Sequence, residues 1–556
     1  MIKRKSEKIL IVLLIFAVGF AAGIFFKSAT SDEITVEKIS QAERLFGLNF
    51  RNDDRDLMLQ DLKDQEKNYE NIRKVKIPND IPPAIQFNPI PKDFRFDTEK
   101  KPFVMSGYEG IKSPKDINDL AYLSIGELAE LLRTQKITST DLTKMYLTRL
   151  KKYDPQLRCV ITLTEDLALR QAKRADDEIA AGKYRGPLHG IPYGAKDLLS
   201  VKGYKTTWGS VPFKNQVIDE NATVIKKLEE AGAVLVAKTS AGELAWGDVW
   251  FGATTKNPWN LKEGSSGSSA GSASSTSAGL LAFSIGTETW GSIVSPSTKC
   301  GVTGLRPTFG RVSRAGVMAL SWTMDKIGPI CRRVEDCAIV FNTISGPDGL
   351  DPVYDFPFNY DPRIDPKSIR IGYLKKEFAE KYPAQKFDAD TLEKLRSLGF
   401  QLIPMSLPDI PTADLSYILS AEAGAAFDLI TRNRQVDSMV RQVRDAWPNV
   451  FRASRFIPAV EYIQANRLRY MLIQEMEKKL TDVDLYISPS FGGSNLLLTN
   501  LTGHPAVVLP NGFDEKGSPV SITFIGKLFG EADLLAVAKA YQDSTDFHLK
   551  HPPLFK

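Results

Sequence analysis

The chain reads as an α/β protein: a single large domain with a central, mostly parallel or mixed β-sheet flanked by helices, preceded by an N-terminal membrane helix. Three observations predict this. Short apolar runs of strand length, AVLVAK (233–238), IRIGYL (369–374), DLYISPS (484–490) and AVVLPNGF (506–513), alternate with longer helical patterns such as NATVIKKLEEAG (221–232) and ADTLEKLRSLGF (389–400). That alternation is expected of a buried sheet covered by helices. The 556 residues, 43% hydrophobic and 25% charged, are enough to bury a large core. An uncharged run, residues 9–26, stands apart at the N-terminus.

Taken in order, residues 1–8 carry Lys3, Arg4, Lys5 and Lys8. The run 9–26 that follows is about the shortest helix that crosses a bilayer at roughly 1.5 Å per residue. The positive-inside rule keeps the basic end in the cytoplasm and sends everything after Lys27 across the membrane, with Asp32 and Glu33 on the far flank. A cleaved signal peptide is the alternative, since Ala29-Thr30-Ser31 offers small residues for cleavage; the length of the apolar run favours an uncleaved anchor. Either way the body is expected outside the cytoplasm, periplasmic or extracellular, tethered or secreted.

Residues 27–117 begin charged (Asp53, Asp54, Arg55, Asp56) and turn proline-rich (Pro82, Pro83, Pro89, Pro91), which predicts a helical stalk followed by an extended connector. The main domain spans 118–545. Near its start SIGELAELLRTQ pairs Ser124 with Glu127 in a capping box. KITSTDLTKMYLTRLKKYD repeats the logic, with Ser139 or Thr140 as cap and Leu142, Tyr146 and Leu150 on one face. A Pro- and Asp-rich stretch, 348–365, opens a variable subregion at about 366–480, before a closing strand at 484–488 and a short tail, 546–556.

Composition also excludes. The formal charge of +5, from 72 basic against 67 acidic side chains, is too balanced for a nucleic-acid surface. Lys226, Lys227, Glu229 and Glu230 read as a solvated helix face. Cys159, Cys300, Cys331 and Cys337 have neither CxxC spacing nor a paired histidine, so neither a metal nor a cofactor is implied. Buried thiols are expected; a Cys331–Cys337 disulfide requires an irregular segment between them.

The chemistry concentrates in residues 257–308, a Gly/Ser-dense tract interleaved with an apolar run, AGLLAFSI, that a flexible linker would lack. A serine nucleophile needs a base. His189 and His504 are the histidines available for a Ser-His-acid triad, and Gly267-Ser268-Ser269-Ala270-Gly271 matches G-x-S-x-G. However, Lys262-Glu263-Gly264 before it is no buried strand. Lys196, in GIPYGAKDLLS, is the other solution: an almost uncharged approach would desolvate the amine, favour its neutral form and make it a base. A surface lysine paired with Asp197 is the competing reading.

These segments together resemble the amidase signature family over roughly residues 118–545. Its pieces stand in family order: PLHGIPYGAKD, VKGYKTTWGS, AGAVLVAKT, NPWNL, GSSAGS, GTETWGSI, CGVTGLRPTFGRVS, DKIGPICRRVEDC, EYIQANRLR, DLYISPS and NLTGHPAVVLP. The resemblance implies the amidase fold and hydrolysis of a carboxamide C–N bond through a Ser-cis-Ser-Lys triad, without cofactor or metal. Lys196 takes the place of the lysine base, Ser268 of the cis-serine and Ser292 of the acyl-forming nucleophile. Backbone N–H groups of Thr289, Trp290, Gly291 and Ser292 stand where the family binds its oxyanion, and Ser269 and Gly271 on the supporting loop.

Departures accompany the match. Glu288-Thr289-Trp290-Gly291-Ser292 replaces the usual Asp-Thr-Gly-Gly-Ser, Val294 an arginine and Ala270 a glycine. Trp290 is expected to wall the substrate pocket or divert the loop. The function implied is a tethered amidase for a small or peptide-like amide, with the membrane as partner through the N-terminal helix and no nucleic acid. Fatty-acid-amide or peptide amidase specificity is the alternative. A tRNA-dependent amidotransferase subunit conflicts with the topology, and an inactive scaffold with the filled triad positions. The acyl and amine pockets are expected largely from 366–480.

Overall fold

The computed structural model describes residues 33–555, in two compact units that divide between Pro78 and Asn79. The basic stretch 1–8 and the expected anchor 9–26 lie outside the described residues. Among the described residues no helix is long and apolar enough to cross a membrane. In the first unit the charged stretch is helical: Val36–Leu45 and Asn52–Arg73 pack together through Arg55, whose guanidinium donates to the Glu43 carboxylate at 2.9 and 3.0 Å.

The second unit is built on an eleven-stranded sheet. From edge to edge its strands are Val160–Leu163, Val234–Thr239, Pro192–Lys196, Phe283–Glu288, Lys326–Cys331, Thr303–Arg306, Ala506–Phe513, Pro519–Gly526, Leu485–Pro489, Arg370–Leu374 and Gln401–Met405. The sheet is mixed. Pro192–Lys196 and Arg370–Leu374 run parallel to both of their neighbours, whereas every pairing from Phe283–Glu288 across to Leu485–Pro489 is antiparallel. The centre is therefore less parallel than the alternation suggested. Ala506–Phe513 and Pro519–Gly526 are joined by residues 514–518 alone, too short for the crossover a parallel pair requires.

The apolar runs lie inside. Val234–Thr239, Phe283–Glu288, Lys326–Cys331 and Leu485–Pro489 are buried at every position, as expected of strands covered on both faces. Helix Ile125–Arg133 starts with the predicted box, the Glu127 N–H donating to Ser124 Oγ and the Ser124 N–H to the Glu127 carboxylate. Helix Ser139–Leu157 corrects the second cap. Thr138, not Ser139 or Thr140, accepts the Asp141 N–H at 3.0 Å. Ser139 Oγ instead donates to the Gly190 carbonyl, a packing contact outside its own helix.

All four cysteines are buried free thiols. Cys331 ends a strand and Cys337 sits in helix Val334–Ile344; burial, with the neighbouring Cys337, holds the Cys331 thiol well above its usual pKa. Subregion 366–480 forms the parallel edge of the sheet and the helices Tyr417–Ala426, Trp447–Ser454 and Ala459–Lys479.

Candidate active site

Four neighbouring elements build the candidate site. Strand Pro192–Lys196 ends at Lys196, and the parallel strand Phe283–Glu288 carries Thr287 near its end. The loop ahead of helix Ala270–Ser277 brings Ser268 and Ser269, and the turn after Glu288 runs through Ser292 into helix Val294–Cys300. Lys196 is fully buried. Its Nζ lies 2.8 Å from Ser268 Oγ, 3.1 Å from Ser269 Oγ and 2.8 Å from Thr287 Oγ1. The Gly267–Ser268 peptide bond is cis.

Burial drives the Lys196 amine well below its usual pKa, against the weaker opposing pull of Asp325 and Glu288. The surrounding hydroxyls then orient a neutral amine. Ser269 Oγ donates its own proton to the Thr287 carbonyl at 3.0 Å and accepts the Thr287 N–H at 3.1 Å, so toward Lys196 it acts as an acceptor. With one N–H given to Ser269, a neutral amine keeps a lone pair for Ser268 or Thr287, both hydroxyls lying 2.8 Å away. Ser269 and Thr287 thus hold the base beside Ser268. Thr287 has no place in the sequence reading, because its role depends on facing a residue 91 positions away.

The surface-lysine reading of Lys196 is overturned. Asp197 pairs instead with the buried Lys238 at 2.6 Å and also accepts the Thr207 N–H. The histidines do not serve the serines either. His189 lies 3.1 Å from Glu178, and the His504 ring bonds Thr502; burial, reinforced by Arg306, takes His504 down to about 3. The G-x-S-x-G match is no nucleophile elbow, since its central Ser269 is committed to Lys196 and Thr287.

Ser292 meets this cluster through the backbone, its carbonyl accepting the Ser269 N–H at 3.1 Å. Among the described residues no hydrogen bond joins the Ser268 and Ser292 hydroxyls, and none is donated by the N–H groups of Thr289, Trp290, Gly291 or Ser292. The next two N–H groups are taken. Ile293 and Val294 donate to Glu288 Oε2 at 2.8 and 3.0 Å. Glu288 Oε1 accepts from Arg306 and Asn500, each at 2.8 Å, and Arg306 continues to the His504 carbonyl at 2.9 Å. Burial alone would raise the Glu288 carboxyl, but Arg306 and these donors outweigh it and hold it at about 2. Four adjacent unbonded donors, held from behind by a buried anion, suit a developing oxyanion.

Local backbone explains the departures. The left-handed residue is Gly291, at φ +82°, so Trp290 occupies ordinary conformational space. Trp290 is 44% exposed and does not line the cavity beside the site. Ala270 is the first residue of its helix, where a methyl group is accommodated. Gly271 admits no side chain: a Cβ there would lie 2.2 Å from the Cys159 carbonyl oxygen.

A cavity of about 270 Å³ adjoins the cluster, touching it through Thr287 and Thr289. Its wall comes from segments around Leu198, Glu220, Ala245, Arg314, Asp325 and Leu350, and from Asp80 and Pro82 of the connector. None of these belongs to 366–480. That subregion acts from behind, the Glu422 carboxylate accepting the Ser321 hydroxyl and the Thr323 N–H. Asp325 accepts from Thr289 Oγ1 at 2.5 Å and from the Leu320 and Ser321 N–H groups, tying this wall to the turn before Ser292.

Known proteins match most of the chain. A family model described as Amidase matches residues 141–498. A glutamyl-tRNA(Gln) amidotransferase subunit of Acinetobacter baumannii (strain AYE) is 34% identical over 490 residues, 78% of this chain and 98% of that one. The native peptide amidase of Stenotrophomonas maltophilia superposes with a TM-score of 0.68 at 30% identity, over 77% of this chain and 97% of its own. The corresponding glutamyl-tRNA(Gln) amidotransferase subunit from Thermotoga maritima gives 0.65 at 26%, over 78% and 96%.

Proposed function

The chain belongs to the amidase family and is an enzyme acting on C–N bonds, and from that premise we propose that it hydrolyses a small or peptide-like carboxamide through an acyl-enzyme on Ser292. One observation carries the reading: a buried lysine, depressed by desolvation, with its Nζ 2.8 Å from Ser268 Oγ beside four unbonded backbone donors. Neutral Lys196 draws the Ser268 proton as Ser268 takes that of Ser292, whose hydroxyl turns toward it. The Ser292 Oγ–carbonyl bond forms, and the oxyanion is received by the N–H groups of Thr289 to Ser292. As the C–N bond breaks, Lys196 returns its proton through Ser268 to the leaving nitrogen. Water then cleaves the ester by the same relay.

The decisive experiment is Ser292→Ala, assayed on an amidated dipeptide. Hydrolysis should fall by at least ~10³-fold with the melting temperature unchanged, and fluorophosphonate labelling should disappear. Retained hydrolysis removes Ser292 from the nucleophile position. Oleamide in the same assay separates a lipid-amide preference from a peptide-like one.

The similarity to amidotransferase subunits supports a second reading, in which ammonia released from an amide is passed to glutamyl-tRNA. The basic N-terminus and the uncharged run behind it favour hydrolysis instead. They support a body held outside the cytoplasm by residues 9–26, or released there after cleavage, away from charged tRNA. Glutamine-dependent amidation of glutamyl-tRNA by the full chain, with no hydrolysis of simple amides, would establish the transferase.

A further inference from the structure

We infer that residues 79–88 form a strap that walls the substrate cavity and selects what enters it, resting on the reading above that this cavity receives the amide. The cavity touching Thr287 and Thr289 takes part of its wall from Asp80 and Pro82. A second cavity, of about 170 Å³, follows the strap to Asn88 and shares Pro82, Arg314 and Trp322 with the first. The strap lies ahead of the stretch that matches the family, 141–498.

The strap is fastened at both ends. The Asn79 side chain donates to the Ala319 carbonyl at 2.9 Å and accepts the Ala319 N–H at 2.8 Å. At the far end Asn88 accepts the Tyr354 hydroxyl at 2.9 Å, and the Phe87 ring packs edge-on to Phe309 with the Arg469 guanidinium 3.6 Å from its centroid. Ala319 directly precedes the Leu320 and Ser321 N–H groups that hold Asp325, which in turn holds Thr289.

Charge gives the strap its selectivity. Asp80 is exposed at the cavity wall and has no hydrogen bond or ion pair among the described residues; in the same wall Arg314 is committed to Asp351 and the Trp322 carbonyl, and the exposed Glu220 and Lys226 cancel in formal charge. A free carboxylate at the entrance favours amides with a cationic group over those with an anionic one.

The test uses the full chain with Asn79→Ala and Asp80→Lys, each checked first for fluorophosphonate labelling at Ser292. Asn79→Ala should raise KM for an amidated dipeptide about fivefold or more with kcat within about twofold, because a loosened wall is ordered only on binding. Asp80→Lys should lower the ratio of kcat/KM for argininamide over glutamic acid α-amide by about threefold or more at low salt, less at high salt. Variants that label normally and keep wild-type KM and charge preference overturn the strap alone. A wild-type chain that neither labels nor hydrolyses any amide overturns the amidase reading and the strap with it.

Discussion

Lys196 is a base because of what surrounds it. An ammonium at this depth would lack water, so desolvation favours the neutral amine. Activity should therefore rise with pH as Lys196 loses its proton, over a range well below that of an ordinary lysine. Lys196→Ala should cost on the order of 10²–10⁴-fold in kcat and remove that rising limb, and Lys196→Arg, protonated throughout, should be inactive at every pH. A pH–rate profile of each variant checks this; an unchanged limb in Lys196→Ala assigns the base elsewhere. Lys196 could be read from its almost uncharged approach, whereas Ser268 and Ser292 were singled out among the tract's serines only by the resemblance to the amidase signature family. Asp197 was not: adjacent in sequence, it faces the buried Lys238 in the fold.

At the scale of elements, the turn from strand Phe283–Glu288 into helix Val294–Cys300 is held across its base by one carboxylate. Val294 brings no charge to this turn, and the counter-charge to Glu288 comes from Arg306 on strand Thr303–Arg306. Glu288 reaches both the helix start and that strand, a span that depends on its extra methylene relative to aspartate. Glu288→Asp should lower kcat on the order of 10²-fold with KM within about threefold, because the donors around Ser292 shift while the rest of the cavity stays. Glu288→Gln should also lower stability by about 3–5 kcal/mol, leaving Arg306 buried without its partner. Kinetics and thermal melts on both variants check this; a folded Glu288→Asp with wild-type kcat shows the strut to be dispensable. The Glu288 substitution was visible in the sequence, but its partner, 18 residues on, was not.

For the whole molecule, one prediction concerns where the domain resides. A C-terminal alkaline phosphatase fusion, active only outside the cytoplasm, should be active in cells, and deletion of residues 1–27 should abolish its activity; an inactive fusion to the intact chain would place the body inside. The sequence by itself determined the α/β class and the buried strands Val234–Thr239, Leu485–Pro489 and Ala506–Phe513, since apolar patterning is a local property of a chain; the triad positions in the Gly/Ser tract came from the resemblance to a family. The mixed order of the sheet, Thr287 as acceptor for Lys196 and a cavity walled by Asp80 rather than by 366–480 were decided by the tertiary structure alone. Burial and hydrogen-bond partnership arise where distant segments share one space, as Asn79 and Ala319 do across 240 residues, and no local pattern encodes which segments those are.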